Sequence, residues 1–513
     1  MDAGGRTIRD SDLLAAILCF SLFVSVVWFS SGDIPLLADN QHYFFIAERA
    51  AAGVPPHVSQ FDPKNALGML VTAAAMRTGR LVGVDDITAS RIVSVGAGAF
   101  AVALVWPLAR RITGSRTAAW TAFVGMMSLE RFVIMSAMGS QPKIFLVAFL
   151  EASMLALSHG RVLTAGATAA AAFLCWQPAG ALLATGPLAL ILARAGARKV
   201  ALFALAAALP IVAYEAYFLY HDALAEQIEQ AFVFPSKYME SLPATLQPVL
   251  RRARWTFAIS QGVDAGSIVP LVSLVGLGLL WLGILRPSSR IVAAFHGRTD
   301  RIYLAATAHV ALLSCLVSFQ GFPDRFWLDP LMAITAGWVF SLIADRLAAK
   351  VSAVPWHLCV RGACAASLLW MALAGQWSGT EIRGLEAQRR TARALGGILD
   401  SGYSVYSVGC THLLALNHVS NFSPYGFFFR GVEEYLHAKT QGRGYFPLRD
   451  GAPPDVILLS RGKYLQQQPW FERDYVRVKR DEFSGQMVQV WLRADVLSGR
   501  VSRGSRAREA VSP

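Results

Sequence analysis

The stretch Pro35-Leu-Leu-Ala-Asp39-Asn-Gln-His-Tyr43-Phe-Phe-Ile-Ala47-Glu-Arg-Ala-Ala-Ala-Gly53 decides how the chain is read. It follows an apolar run, Leu13 to Phe29, that Arg6 and Arg9 precede. That run nears the ~20 apolar residues needed to cross a bilayer and has no A-x-A cleavage site, so it predicts an uncleaved first helix. The stretch continues through Val54-Pro-Pro-His57 to Gln60-Phe-Asp62-Pro-Lys64, a short helical segment at 66–77, and Ser90-Arg91 at the next apolar run. This pattern predicts an outer loop, residues 30–91, folded into two surface helices, the first opened by an acid.

Composition agrees with many such runs. Of 513 residues, 54% are hydrophobic and only 16% charged, where a soluble chain carries about 25% charged. A mean hydropathy of +0.43 over this length implies many apolar segments. Disordered, collagenous and disulfide-scaffold classes are excluded. The net charge of +13 does not require nucleic acid, because membrane proteins concentrate Lys and Arg in cytoplasmic loops, and no basic stretch is interleaved with exposed aromatics. Five of the six cysteines lie in apolar runs and no CxxC occurs, so neither zinc nor an internal disulfide is indicated.

Further spans are expected at about 92–108, 118–134, 144–157, 162–175, 179–193, 200–219, 268–285, 302–319, 326–344 and 356–376, about eleven in all. The expected cytoplasmic connections hold Arg110, Arg111 and Arg116, then Arg161, then Arg194, Arg198 and Lys199, then Arg286, Arg290, Arg298 and Arg301, and finally Arg346 and Lys350. All fall on one side, as the positive-inside bias requires. The fold class is thus an α-helical polytopic membrane protein with a small C-terminal α/β extracytoplasmic domain. Residues 1–376 form the transmembrane domain. Residues 377–497 form the outer domain, with a helix in 381–399 and strand-like runs at 403–408, 454–460, 475–479 and 487–493. Residues 498–513, rich in Ser, Gly and Arg, are expected as a disordered tail.

The order of these features resembles the GT-C superfamily of integral-membrane glycosyltransferases, which includes protein O-mannosyltransferases and lipid A aminoarabinose transferases. The residues that carry the resemblance are Asp39, Tyr43, Ala47, Gly53, Pro63, Arg91, and Arg110 with Arg111, together with Trp176-Gln-Pro-Ala-Gly-Ala-Leu-Leu and Arg325-Phe-Trp-Leu-Asp-Pro330. It spans roughly 13–345. One departure stands out: the loop Ser136-Ala-Met-Gly-Ser-Gln-Pro-Lys143 lacks the second acid that many members carry there. A metal held between two loop carboxylates is therefore not expected, and no cofactor is.

The resemblance implies transfer of a sugar from a polyprenyl-phosphate donor to an envelope lipid, glycan or protein acceptor. Phosphate is a good leaving group, so one carboxylate to take the acceptor proton suffices, where glycosidases use two. Asp39 is the candidate base; its other reading is an N-cap for the helix that follows. Asp33 and Asp62 are its rivals. Lys143, Arg325 and the cluster Arg251, Arg252 and Arg254 are candidates to bind the donor phosphate, with snorkelling to headgroups as the alternative. Tyr43, Asp62, Arg91 and Arg131 are possible supporting residues. Glu130, Arg131, Glu151 and Glu215 sit in or near apolar runs, where charge is costly. The aromatics of Tyr425-Gly-Phe-Phe-Phe429 are read as domain core before acceptor contact.

A transporter or flippase for a lipid-linked sugar is the alternative. It would commonly show two related repeats, and none is visible. A non-catalytic scaffold is the third class. The expected setting is a bacterial inner membrane, with the N-terminus cytoplasmic and the C-terminal domain periplasmic.

Overall fold

The computed structural model describes residues 10–30, 33–37, 39–238, 246–257, 269–278, 299–319, 321–350, 384–399, 402–428, 431–439, 453–460, 463–466, 470–478 and 488–498, with isolated positions in 359–366. Apart from those isolated positions the span expected at 356–376 lies outside the described residues, as does the tail from 499.

Helices carry the N-terminal body. α1 (Asp10–Ser30) leads into α2 (Asp39–Ala51) and α3 (Leu67–Leu81), the two helices expected in the first loop. α4 (Asp86–Thr113) starts where the Asp85 carboxylate accepts hydrogen bonds from the amides of Ile87 and Thr88, and stops at Gly114 with φ 76°. The expected span 118–134 is broken into α5 (Arg116–Met127) and α6 (Glu130–Met138), bent by 60°. The break falls where Ser128 Oγ turns back to the carbonyl of Gly125 at 2.7 Å. α7 (Pro142–Ser158), α8 (Val162–Cys175), α9 (Ala181–Leu192) and α10 (Ala197–Tyr220) follow, then helices Leu246–Thr256, Thr299–Val317 and Asp329–Lys350.

Among the described residues four helices are long and apolar enough to cross a membrane, or five if α5 and α6 form one span. The others expected as spans are shorter or incompletely described. Lipid gives helices no hydrophobic drive to associate, so close packing through small residues must hold them. α8 follows that rule: Ala165, Ala169 and Ala172 are buried, and Gly166 lies so close to the backbone of Phe203 that a Cβ would clash.

Among the described residues the C-terminal domain holds a four-stranded sheet, β1 (Val405–Val408), β2 (Val456–Leu459), β3 (Tyr475–Val478) and β4 (Gln489–Arg493), in the order β1-β2-β4-β3. β1 and β2 are parallel, with Val405 opposite Val456; the β2–β4 and β4–β3 pairs are antiparallel. All four strands sit within the runs expected from sequence. The helix Leu385–Leu399 packs Leu385, Ala392, Leu395 and Leu399 on one face of the sheet. Phe44, Phe45, Ala47, Ala73 and Met76 of α2 and α3 belong to the same apolar cluster. The C-terminal domain and the segment between α1 and α4 thus share one core, and this fixes the sheet against that segment.

The seam is also hydrogen-bonded. The Asp33 carboxylate accepts from the amide of Glu386 at 3.3 Å, so it caps the domain helix from outside. Gln388 donates to the carbonyl of Leu36 at 2.7 Å and accepts from its amide at 2.9 Å.

Candidate active site

α2 begins at Asp39, whose neighbour Asn40 donates to the carbonyl of Gly139 at 2.9 Å and accepts from Gln141 at 3.1 Å. This ties the start of α2 to the turn between α6 and α7. Gly139 has φ 85°, and a Cβ there would lie 2.6 Å from Ser90 Oγ, so the turn can approach α4 only as glycine. The segment 57–66 is held from three directions. Gln230 accepts from the amide of Asp62 at 3.0 Å and donates to the carbonyl of His57 at 2.7 Å. Gln177 donates to the carbonyls of Pro63 and Ala231, both at 2.8 Å, which gives the Trp-Gln-Pro motif a physical task. The Tyr214 hydroxyl accepts from the amide of Ala66 at 2.7 Å.

These ties bring charged groups into one cavity of about 340 Å³, lined by Asp39, His42, Tyr43, Asp62, Lys64, Lys143 and Asp324 with Pro63, Gly321, Pro323, Phe427 and Phe428. Its cations and acids are interleaved. Lys64 Nζ donates to the Tyr43 hydroxyl and lies 3.9 Å from Asp39 Oδ2, while Tyr43 donates to that carboxylate over a long 3.4 Å. His42 Nε2 and Asp62 Oδ2 are 2.9 Å apart. Lys143 forms a buried ion pair with Asp324, and its ammonium stands 4.0 Å above the Trp176 ring centre.

Burial opposes the charge of Lys64, but Asp39, Asp62 and Asp324 outweigh it and hold the ammonium above the usual lysine range. Burial would raise Asp62, yet the His42 hydrogen bond and the charge of Lys64 hold it below the usual carboxylate range. Burial and the nearby carboxylates push Tyr43 well up, so it stays a neutral donor. The Asp39 carboxylate is the open one, with 42% of its side chain exposed. Among the described residues its contacts are Tyr43 and Lys64 rather than the first amides of α2, so the capping alternative has no hydrogen bond to rest on.

Of the five cations expected to hold phosphate, the structure brings only Lys143 to this cavity. Arg325 is buried in an ion pair with Asp329 at 2.8 Å and donates to the carbonyl of Thr256 at 3.3 Å. Arg252 donates to the carbonyl of Val317, and Arg251 and Arg254 are exposed. Of the supporting residues, Tyr43 and Asp62 line the cavity; Arg91 donates to the carbonyl of Ile34, and exposed Arg131 lies over the Phe322 ring at 5.4 Å. The structure adds Lys64, Asp324 and the Asp62–His42 pair to the candidate groups. Lys64 stood in the same loop as Asp39 and was open to discovery as a cation on the expected outer side. Asp324 had no local signal: it supplies from a distant turn an acid that the 136–143 loop lacks.

Each carboxylate in the cavity already faces a cation or His42: Asp39 faces Lys64, Asp62 faces His42 and Asp324 faces Lys143. Among the described residues the one group of donors close enough to share an ion is Glu48, Asp86 and His418, outside this cavity. Arg80 donates to both acids there, and Arg49 to Glu48.

No protein-family profile and no curated sequence matches the chain. Solved structures do. ArnT from Cupriavidus metallidurans bound to undecaprenyl phosphate superposes with a TM-score of 0.61 at 14% identity, over 94% of this chain and 98% of that one. Its apo state gives 0.62 at 16% identity, over 93% and 98%. The archaeal oligosaccharyltransferase AglB from Archaeoglobus fulgidus, in complex with an inhibitory peptide and a dolichol-phosphate, gives 0.53 at 11% identity, over 91% and 72%. The chain has the GT-C glycosyltransferase fold. Its long apolar helices are those of a membrane-embedded protein, and the match with ArnT covers 94% of the chain.

Proposed function

We propose that the protein transfers a sugar from a polyprenyl-phosphate donor to a hydroxyl on an envelope lipid, glycan or protein, at the outer face of a bacterial inner membrane. The observation that carries this reading is the cavity in which one accessible carboxylate, Asp39, lies 3.9 Å from half-buried Lys64, with buried Lys143 in the same lining. The neighbours bound to undecaprenyl phosphate and to a dolichol-phosphate support the choice of donor.

In this reading the acceptor oxygen attacks the anomeric carbon. The bond from that carbon to the phosphate oxygen breaks, the polyprenyl phosphate leaves with the electron pair, and the hydroxyl proton passes to Asp39. Lys64 and Lys143 hold the charge that grows on the phosphate, where preorganised cations are worth most. Tyr43 keeps Lys64 beside Asp39. Arg325, Arg251, Arg252 and Arg254 are assigned structural and surface roles.

The test is turnover of undecaprenyl-phosphate hexoses and pentoses by the reconstituted protein, with membrane lipid extract as acceptor. Release of undecaprenyl phosphate that depends on Asp39 supports the reading. Flipping of the donor across vesicles with no bond cleavage would replace it with the transporter alternative.

A further inference from the structure

The C-terminal domain enters the cavity at Phe427 and Phe428. Both rings are half-buried, while the lining around them is mostly carboxylate, ammonium, imidazole and phenol. Such a wall is one half of a saccharide site. A sugar ring has a polar rim and an apolar C–H face, and the rim alone could be met by Asp39, His42 and Asp62.

The segment that delivers these rings is fixed from both sides. The amide of Phe422 donates to the carbonyl of Val405 at 2.8 Å, and the Tyr406 hydroxyl to the carbonyl of Tyr425 at 2.7 Å, so it is anchored to β1. The amide of Phe61, in the cavity-forming loop, donates to the carbonyl of Pro424 at 2.8 Å, and the Phe61 and Tyr425 rings lie 5.3 Å apart. Gly426 threads between them: a Cβ would lie 2.5 Å from Asn421 Nδ2, 2.8 Å from Gln60 Nε2 and 2.8 Å from the Ser407 carbonyl. The Phe427 ring then lies 5.1 Å from His42, tilted by 36°. This precision is directed at the cavity and comes from a domain whose described residues supply no charge to its lining.

We propose that Phe427, backed by Phe428, is the platform on which a sugar ring lies during transfer, and that the C-terminal domain thereby sets which sugar is accepted. The inference rests on the donor reading above. The ring can belong to the donor or to a glycan acceptor; both present the same C–H face.

The experiment uses the full chain in nanodiscs, with undecaprenyl phosphate and undecaprenyl-phosphate glucose as probes, and Phe427→Leu, Phe427→Trp and Lys64→Met as variants. Leu keeps apolar volume and removes the aromatic face. Phe427→Leu should bind undecaprenyl phosphate within about two-fold of wild type and the sugar-loaded lipid roughly ten-fold more weakly, the order of one aromatic-face contact. Phe427→Trp should restore it. If donor affinity is unchanged but turnover with lipid extract falls about ten-fold, the platform holds the acceptor ring, and the proposal stands in that form. Wild-type donor affinity and turnover in Phe427→Leu overturn it. Lys64→Met separates the two readings: normal undecaprenyl phosphate binding there removes the donor reading and this proposal with it, whereas lost binding there beside an unaffected Phe427→Leu removes the platform alone.

Discussion

Lys143 and Asp324 stand 181 positions apart in sequence and form a buried ion pair in the cavity wall. A buried pair gains little over apolar packing, but removing one partner strands the other charge at a cost of about 3–5 kcal/mol. In the proposed function, Asp324 occupies the place on Lys143 that the donor phosphate takes. Asp324→Asn is expected to lower the melting temperature of the empty protein and to bind undecaprenyl phosphate more tightly. A larger thermal shift than wild type on adding the lipid is the readout, since a ligand stabilises in proportion to ln(1 + [L]/Kd). An equal or smaller shift would mean that Asp324 serves only the fold.

Asp39→Asn separates chemistry from capping. Among the described residues no amide of α2 relies on this carboxylate, so the variant should fold normally while turnover falls by about 10²–10⁴-fold. Asp33→Asn is the opposite case. Its carboxylate caps the helix Leu385–Leu399, and Asn caps nearly as well, so it should retain activity; Asp33→Ala should cost about 0.5–2 kcal/mol of domain stability. Stability by thermal melting and rate by lipid release, measured on all three, assign each acid its role. An Asp39→Asn protein with more than about a tenth of wild-type turnover would move the base to Asp62.

The acid and alkaline limits of stability should both trace to the loop that carries Asp62 and Lys64. The Asp62 carboxyl is held below its usual range, so its contribution is present above the unfolded value of about 3.9 and is lost as pH falls through the folded value. Lys64 is held above its usual range, so its contribution is present below about 10.4 and is lost as pH rises through the folded value. Asp62→Asn should flatten the acid limb of the melting profile and, because Asp62 is one of three carboxylates that raise Lys64, shift the alkaline limb only in part. Lys64→Met should flatten the alkaline limb and shift the acid limb in part, since the His42 hydrogen bond still holds Asp62 down. Identical profiles in both variants would show that these groups do not govern the pH range.

What could be read from sequence divides along contact range. Apolar runs, the two loop helices and the four strands were legible because local periodicity sets them, and Asp39 because it opens a helix after a span. The bend at Ser128 was not, since a polar residue at a helix end looks the same in a straight span. Lys64 was legible as a cation in the same loop as Asp39, whereas Asp324 and Phe427 were not, because their meaning depends on partners far along the chain. The cluster Arg251, Arg252 and Arg254 drew attention by its charge alone; in the structure Arg252 spends its donors on the carbonyl of Val317. Charge on a sequence shows a need for a partner, not which partner meets it.

Gly426 tests whether the C-terminal domain must hold its loop against the cavity. A Cβ there meets two side-chain amides that can swing away, but also the Ser407 carbonyl at 2.8 Å, which belongs to β1 and can move only with the sheet edge. Gly426→Ala should push residues 425–428 off the loop 57–62, weakening the Phe61–Pro424 hydrogen bond while leaving Lys64 and Lys143 in place. Turnover should then fall while undecaprenyl phosphate binding persists, and hydrogen exchange should rise at Phe61. The control is Gly397→Ala in the helix Leu385–Leu399, where a Cβ meets nothing within 4 Å; it should be neutral or stabilise by up to about 1 kcal/mol. If Gly426→Ala melts, exchanges and turns over like Gly397→Ala, the contact between domain and loop has no part in the reaction.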